Sequence, residues 1–303
     1  MHTNQVLHQG ALEMPSLKAG VLPFVLGNAL LGTIGVFVHQ AQADPLTVTW
    51  FRCAFGLVGL TLWMAWRRKL PALRLSRATA PWVLLASVLM LAGWWLFFTA
   101  MRHVSTGVAV VLFHVQPLWL LLAAWWLKDS VPRQRVLSVL LAMVGLVLAT
   151  GVLGSTPAPG YWLGVALCLV GAVCTAGVTL IAKRLQGLQA GTLAWWQCAV
   201  GAVLLWVGPT GQGWPAWGFS WAWLAGLGLL HTGLAYALIY GAMARLAKAR
   251  VAVLQFAYPV VAILVDWVYF ARPLGAVQLG GVALMLGAIV LGEHAPRRAW
   301  RAV

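Results

Sequence analysis

Residues 100–127 read AMRHVSTGVAVVLFHVQPLWLLLAAWWL, and residues 242–269 read AMARLAKARVAVLQFAYPVVAILVDWVY. Laid over each other at an offset of 142, they share Ala100-Met101 with Ala242-Met243, Val111-Leu112 with Val253-Leu254, and Pro117 with Pro259. The register continues downstream, where Met143 and Gly145 match Met285 and Gly287. Upstream, Trp50-Phe51-Arg52-Cys53-Ala54 matches Trp195-Trp196-Gln197-Cys198-Ala199 at an offset of 145. The difference of three fits one short loop indel. No single match is specific, because Leu, Val and Ala recur by chance. Agreement at a nearly fixed offset across several segments reads as an internal repeat.

The composition says what kind of body is repeated. Of 303 residues, 62% are hydrophobic and 8% charged, with a mean hydropathy of +0.88. A soluble domain carries about 25% charged residues, so a soluble fold of this size could not cover its surface. A transmembrane helix needs roughly 20 mostly apolar residues. Such runs fall at 19–39, 45–66, 80–101, 105–127, 134–152, 160–182, 190–208, 219–241, 248–270 and 274–291. The expected fold is therefore an all-α membrane protein of about ten transmembrane helices, arranged as two five-helix repeats at 19–152 and 160–291. A tail at 1–18 and a basic tail at 292–303 flank them. Ala41-Gln42-Ala43 imitates a signal-peptidase site, but the span before it is full length and its leader is long, so it reads as a retained membrane helix.

Lys and Arg set the direction. With the N-terminus inside, the inner loops and tails hold Lys18, Arg67, Arg68, Lys69, Arg74, Arg77, Lys128, Arg133, Arg135, Lys183, Arg184, Arg245, Lys248, Arg250, Arg297, Arg298 and Arg301. The outer loops hold only Arg102 and Arg272. This positive-inside bias predicts an even number of spans and both termini in the cytoplasm. The net charge of +15 is then a topology device and not a sign of nucleic acid. Five spans per half is an odd number, so the second repeat enters the membrane inverted. Inverted repeats are typical of secondary transporters, whose substrate sites lie at the midplane between the repeats.

The overlay nominates site residues. Trp94 and Phe98 lie four apart on one helical face, and their repeat partners are Tyr236 and Tyr240. Phe113 and Gln116, just before Pro117, pair with Gln255 and Tyr258, just before Pro259. Each half thus offers one amide and one aromatic, in swapped order. An amide carries both donors and an acceptor, so two could hold both ends of a zwitterion without a fixed charge. The paired prolines break helical hydrogen bonds and free carbonyls that can line a cavity. His114 lies beside this face, as a proton carrier or a neutral core residue. Asn28 is polar at mid-depth in the first span, touching substrate or bonding helices together. For the same residues, the plainer reading is helix packing. Arg52, seven residues into its span, is expected to snorkel or bond helix-end carbonyls, since its repeat partner Gln197 is uncharged. Asp266 is expected at the outer rim, and His231 outside the pocket. Trp63, Trp66, Trp125, Trp126, Trp206, Trp221, Trp223 and Trp267 sit near span ends as an interfacial belt. Gly27, Gly32, Gly35, Gly171 and Gly177 allow close helix approach. Cys53, Cys168, Cys174 and Cys198 all lie in apolar runs without a CxxC pair, which gives neither a disulfide framework nor a zinc site.

These parts, in this order, resemble the drug/metabolite transporter superfamily, in its ten-helix branch with two EamA repeats. The residues that carry the resemblance are Phe51-Arg52, Met101-Arg102-His103-Val104 through Pro117 into Leu118-Trp119-Leu120-Leu121-Leu122-Ala123-Ala124, the Gly145 helix, and the copy from Gly241 through Pro259 to Gly287. The resemblance implies a multi-pass protein of the bacterial inner membrane that exports small metabolites. The Trp content and uncharged core look most like the aromatic amino-acid exporters of that group. One departure stands out: many members carry Glu just after the fourth and ninth spans, where this chain has Lys128-Asp129 and Ala271-Arg272.

The expected function is alternating-access export of small net-neutral metabolites, amino acids first, by a monomer in the lipid bilayer. Nucleosides or cationic compounds, with or without proton coupling, are the alternative. No Walker loop, HExxH or Ser-His-Asp set is present, so neither a cofactor nor an enzymatic reaction is expected. Polar residues are too sparse for a channel. His39, His103 and Asp44 have no convincing catalytic spacing.

Overall fold

The structure is a computed structural model that describes residues 17–104, 106–128, 131–150, 159–185, 188, 190–243, 245–271 and 274–294. Ten of its helices are long and apolar enough to cross a membrane: Gly20–Ala41, Pro45–Trp66, Ala80–Ala100, Val108–Trp126, Arg133–Thr150, Tyr161–Arg184, Gly191–Gln212, Ser220–Met243, Lys248–Tyr269 and Ala276–Glu293. They are numbered here as spans 1 to 10. There is no strand among the described residues. The chain is a multi-pass all-α membrane protein, and every span ends within four residues of its sequence-based bounds. Most of both expected tails, with Arg297, Arg298 and Arg301, lies outside the described residues, as do Asp129 and Arg272.

The repeats interlock. Span 1 packs along spans 8 and 9, and span 6 along spans 3 and 4; span 2 lies against spans 7 and 8, and span 5 against span 10. The small residues show how alike the two halves are. A Cβ on Gly20 would meet Leu246, and one on Gly164 would meet Val104. A Cβ on Gly27 would lie 2.9 Å from the carbonyl of Ala235, and one on Gly171 would lie 3.4 Å from that of Gly93. Gly20 and Gly164, like Gly27 and Gly171, are 144 positions apart. Their partners Val104 and Leu246, and Gly93 and Ala235, are 142 apart. Each contact in one half thus has a twin in the other. Of the remaining expected close approaches, Gly32 meets Val261 at 2.7 Å and Gly177 meets only the end of Leu89 at 3.1 Å, while Gly35 meets nothing within 4 Å.

Proline decides where spans 4 and 9 break. It lacks an N–H, and its ring clashes with the carbonyl four residues earlier. Span 4 runs as Thr106–Phe113 and Gln116–Trp126, with Pro117 in the first turn of the second piece. Span 9 runs as Lys248–Leu254 and Ala257–Tyr269, with Pro259 at the equivalent place. Both spans stop on a left-handed residue just past the helix, Lys128 at φ 56° and Ala271 at φ 49°, a common helix C-terminal conformation. Two further irregularities have no proline. Span 1 breaks at Thr33, between Leu17–Gly32 and Ile34–Ala41. Span 8 contains a π-helical turn over Leu229–Leu234. Gly228, at the start of that turn, lies so close to span 2 that a Cβ would come within 2.3 Å of Phe55.

Alternation of ten spans collects Arg67, Arg68, Lys69, Lys183, Arg184, Lys248 and Arg250 at one end of the bundle, called here the basic end. At the opposite end, Asp44 caps the start of span 2 by accepting from the Leu46 N–H at 2.9 Å and pairs with Arg102 at 2.7 Å. Trp66, Trp125 and Trp126 are exposed at span ends, as an interfacial belt requires.

Candidate functional site

All ten residues nominated from the sequence line one cavity of about 160 Å³ between the halves. The helix breaks explain how. The i to i−4 ladder runs as far as His114 and Gln255, and at Val115 and Phe256 it tightens to i−3 bonds with the Leu112 and Val253 carbonyls, so the chain turns there in a short step. This aims Phe113, His114 and Gln116 from one half, and Gln255 and Tyr258 from the other, at a common space. Spans 3 and 8 supply the aromatic wall. Trp94 meets Tyr236 edge-on at 5.8 Å between ring centroids, and Tyr236 lies 5.5 Å from Tyr240. Phe98 stands one helical turn beyond Trp94, beside the 4.6 Å pair of Phe97 and Phe113.

The polar groups differ in how far they are committed. Asn28 donates to the Phe24 carbonyl of its own helix at 2.8 Å. The His114 ring shares a 2.7 Å hydrogen bond with the Val110 carbonyl and stacks on Tyr258 at 4.9 Å. Gln116 donates to Thr179 Oγ1 at 3.1 Å. Tyr240 donates to Gln197 Oε1 at 2.8 Å. That leaves two amide ends, Gln255 Oε1 and Gln197 Nε2, buried and without a hydrogen-bond partner. An unpaired buried polar atom costs about 1–3 kcal/mol, and Gln255 belongs to the cavity wall.

Arg52 is where the structure departs from the sequence reading. It does not snorkel outward, and no helix-end carbonyl among the described residues accepts from it. It is 2% exposed and lines the cavity. Its Nε donates to Thr232 Oγ1 at 3.3 Å, and its guanidinium carbon lies 4.2 Å above the Trp94 ring. Thr232 belongs to the π-helical turn, and its Oγ1, which accepts from Arg52, donates in turn to the Leu227 carbonyl at 3.1 Å. His231, in the same turn, faces away to Thr33 Oγ1 at 2.8 Å and lies outside the cavity wall, as expected. Sequence reasoning also passed over Thr175 and Thr179, one turn apart on span 6, and Gln197. The available signal was that Arg52 and Gln197 are repeat partners and both polar.

The two ends of the cavity are unlike. Toward the end opposite the basic one it meets a second cavity of about 470 Å³, and Ile34, Phe97, Phe98 and Tyr258 line both. Asp266 and His39 line this vestibule, and the His39 ring lies against Phe270 at 5.2 Å. Toward the basic end the helices are fastened. Lys183 of span 6 is 8% exposed and donates to the Met243 carbonyl at 2.8 Å and to the Leu246 carbonyl. Arg250 and Glu293 tie span 9 to span 10, with Nε to Oε1 at 2.7 Å. Among the described residues no group of three or more His, Cys, Asp or Glu could hold a metal ion. Cys53, Cys168 and Cys198 are buried, Cys174 is half-buried, and all four are free thiols.

The cavity thus lies between the two halves, adjoins the vestibule on one side and is bounded on the other by the Lys183 and Arg250 contacts. Comparison with known proteins gives the family. Residues 18–151 and residues 162–292 each match the EamA-like transporter family. The chain belongs to the EamA-like transporter family. It is a membrane transporter and not an enzyme. Among EamA-like relatives, the uncharacterized transporter YxxF of Bacillus subtilis is 22% identical over 90% of this chain and 89% of its own length. An uncharacterized transporter of Archaeoglobus fulgidus is 23% identical over 94% and 97%. The pseudopaline exporter CntI of Pseudomonas aeruginosa is 25% identical over 56% of this chain and 58% of its own. A solved crystal structure shares the fold with a TM-score of 0.79, at 20% identity, over 90% of this chain and 96% of the other.

Proposed function

We propose that this EamA-like transporter exports small net-neutral metabolites, amino acids first, by alternating access across a bacterial inner membrane. It acts as a monomer with both termini cytoplasmic, its repeats spanning residues 19–152 and 160–291. One observation carries the reading: the two pseudo-symmetric proline breaks present amides from opposite halves, Gln116 and Gln255, to one cavity walled by Trp94, Phe98, Tyr236 and Tyr240. The aromatic wall suits an apolar or aromatic side chain, and the amides and hydroxyls suit polar ends. Export as the direction of transport is supported by the pseudopaline exporter among the relatives. Among the described residues no carboxylate lines the cavity, which disfavours the alternative of cationic compounds traded against a proton.

The test is flux in proteoliposomes with amino acids, nucleosides and cationic dyes. Gln116→Ala and Gln255→Ala are each expected to lower amino-acid flux about tenfold, the loss of one hydrogen bond of roughly 1.4 kcal/mol, while the protein stays folded in detergent. Full flux in both variants would remove the amides from the site. Movement of dyes without amino acids would replace the substrate class.

A further inference from the structure

We propose that the Arg52 guanidinium is the receptor for a carboxylate on the passenger, so that a free carboxylate is what this cavity requires of its substrate. The proposal rests on the amino-acid reading of the same cavity and narrows it. It also shifts the central role from the amide pair to a fixed positive charge.

The argument starts from depth. Arg52 lies seven residues inside span 2, which begins at Pro45, or about 10 Å along the helix at 1.5 Å per residue. The hydrocarbon core of a bilayer is about 30 Å thick. A charged side chain at such depth is costly, and Arg in a membrane helix is normally paired or faces a water-filled space. Arg52 faces the cavity, and no acid among the described residues pairs with it. Among the described residues Asp44 pairs with Arg102, Glu293 pairs with Arg250, and Asp266 lines the vestibule and not this cavity. The neighbours of Arg52 include two hydroxyls, Thr232 Oγ1 and that of Tyr236, and the face of Trp94. None of them carries a negative charge. A guanidinium has five N–H donors in a planar fork, which two hydroxyls do not exhaust, and the bond to Thr232 uses the one on Nε. The outer edge of the fork is the part that takes a carboxylate in two parallel hydrogen bonds.

The mounting supports recognition over simple packing. Trp94, whose ring centroid lies 4.2 Å from the guanidinium carbon, and Thr232 at its Nε hold the group in place without neutralising it. The π-helical turn that presents Thr232 is an irregularity of the kind that recurs at functional sites. In the same cavity wall, Gln255 Oε1 is a buried acceptor with no donor among the described residues. A carboxylate on Arg52 and an N–H on Gln255 would satisfy the cationic group and the orphan acceptor together. An α-amino acid supplies both, and a simple monocarboxylate supplies the first alone.

The experiment is counterflow in proteoliposomes of the full chain with two matched series. One is phenylalanine, phenylalaninamide, phenethylamine and 3-phenylpropionate. The other is alanine, alaninamide, ethylamine and propionate, which covers a smaller passenger. Compounds with a carboxylate are expected to compete at least about 30-fold better than their matched amides and amines, the usual scale for removing one partner of a buried charge pair. Arg52→Gln should erase that difference, and Arg52→Lys should restore part of it. If the amino acid and its carboxamide compete equally, the carboxylate receptor is wrong and the amino-acid reading stands. If 3-phenylpropionate or propionate competes while the amino acids do not, the receptor stands and the amino-acid reading falls. If no carboxylate in either series competes, both fall. Should Arg52→Gln fail to fold, the ligand series on the unaltered protein still decides.

Discussion

Lys183 offers the sharpest test of how this carrier is held in its present state. Its ammonium bridges the carbonyls of Met243 and Leu246, where span 8 ends and the chain turns toward span 9. Lys183→Met keeps a straight apolar stem of similar size and deletes the charge. Two charge-assisted hydrogen bonds are worth about 1.5–3 kcal/mol each against water. That value is already net of the exchange with water, and the ammonium regains part of it from other acceptors when the end opens, so the difference between the two states is set at the usual coupling scale of about 1–3 kcal/mol, a shift of about 5- to 150-fold in a two-state equilibrium. The opposite end reports it. Gly35 lines the vestibule, is exposed, and has room for a side chain, with nothing within 4 Å of an added Cβ. A Gly35→Cys carrier in nanodiscs should react with a bulky maleimide, while the native thiols, mostly buried, react slowly. Adding Lys183→Met should slow the labelling of that cysteine at least about fivefold as the vestibule closes. An unchanged labelling rate, in a variant that melts at the same temperature, would show that Lys183 does not govern which end is open.

Two stability predictions follow from packing. A Cβ on Gly281 would sit 2.5 Å from Ala149 N and 2.6 Å from the Gly145 carbonyl, both backbone atoms, whereas Gly287 on the same helix meets nothing within 4 Å. Gly281→Ala should therefore cost about 1–3 kcal/mol by forcing spans 5 and 10 apart, and Gly287→Ala should gain up to about 1 kcal/mol from helix propensity; a thermal-shift series in detergent that ranked them the other way would contradict this helix contact. Tyr240→Phe removes the donor to Gln197 Oε1 and leaves an amide whose Nε2 is already unpaired. It should lower stability by about 1–3 kcal/mol, and adding Gln197→Leu should recover part of that loss. Additive losses in the double variant would show that the two side chains do not act as a pair.

The sequence was most legible where one physical rule acts alone. Ten apolar runs of membrane length specify ten spans, since a backbone in hydrocarbon must satisfy its own hydrogen bonds. Pro117 and Pro259 mark breaks because a missing N–H is written in the sequence itself. The break at Thr33 and the π-helical turn at Leu229–Leu234 carry no such mark. They arise from how spans 1 and 2 press against span 8, with Gly228 against Phe55 and Thr33 against His231, and tertiary contact does not show in local composition. The cavity wall was readable because equivalent positions in two repeats had to be polar or aromatic together. Arg52 is where repeat symmetry misleads. Its repeat partner is the neutral Gln197, whereas the guide at this position is the rule that an ionisable group inside a membrane is a site by default.

The 144-position register of spans 1 and 6 carries Lys183 onto His39. The 142-position register carries Met243 and Leu246 onto Met101 and Val104. At the basic end the first set is joined by hydrogen bonds. At the other end His39 and Met101 both line the vestibule, and no hydrogen bond between them is found among the described residues. The same handshake is thus available at both ends of the molecule and clasped at only one. Under the alternating access proposed above, exchanging the conformations of the two halves would put the vestibule at the basic end and His39 over the carbonyls of Met101 and Val104. A variant at one end of the bundle would then have a calculable twin at the other.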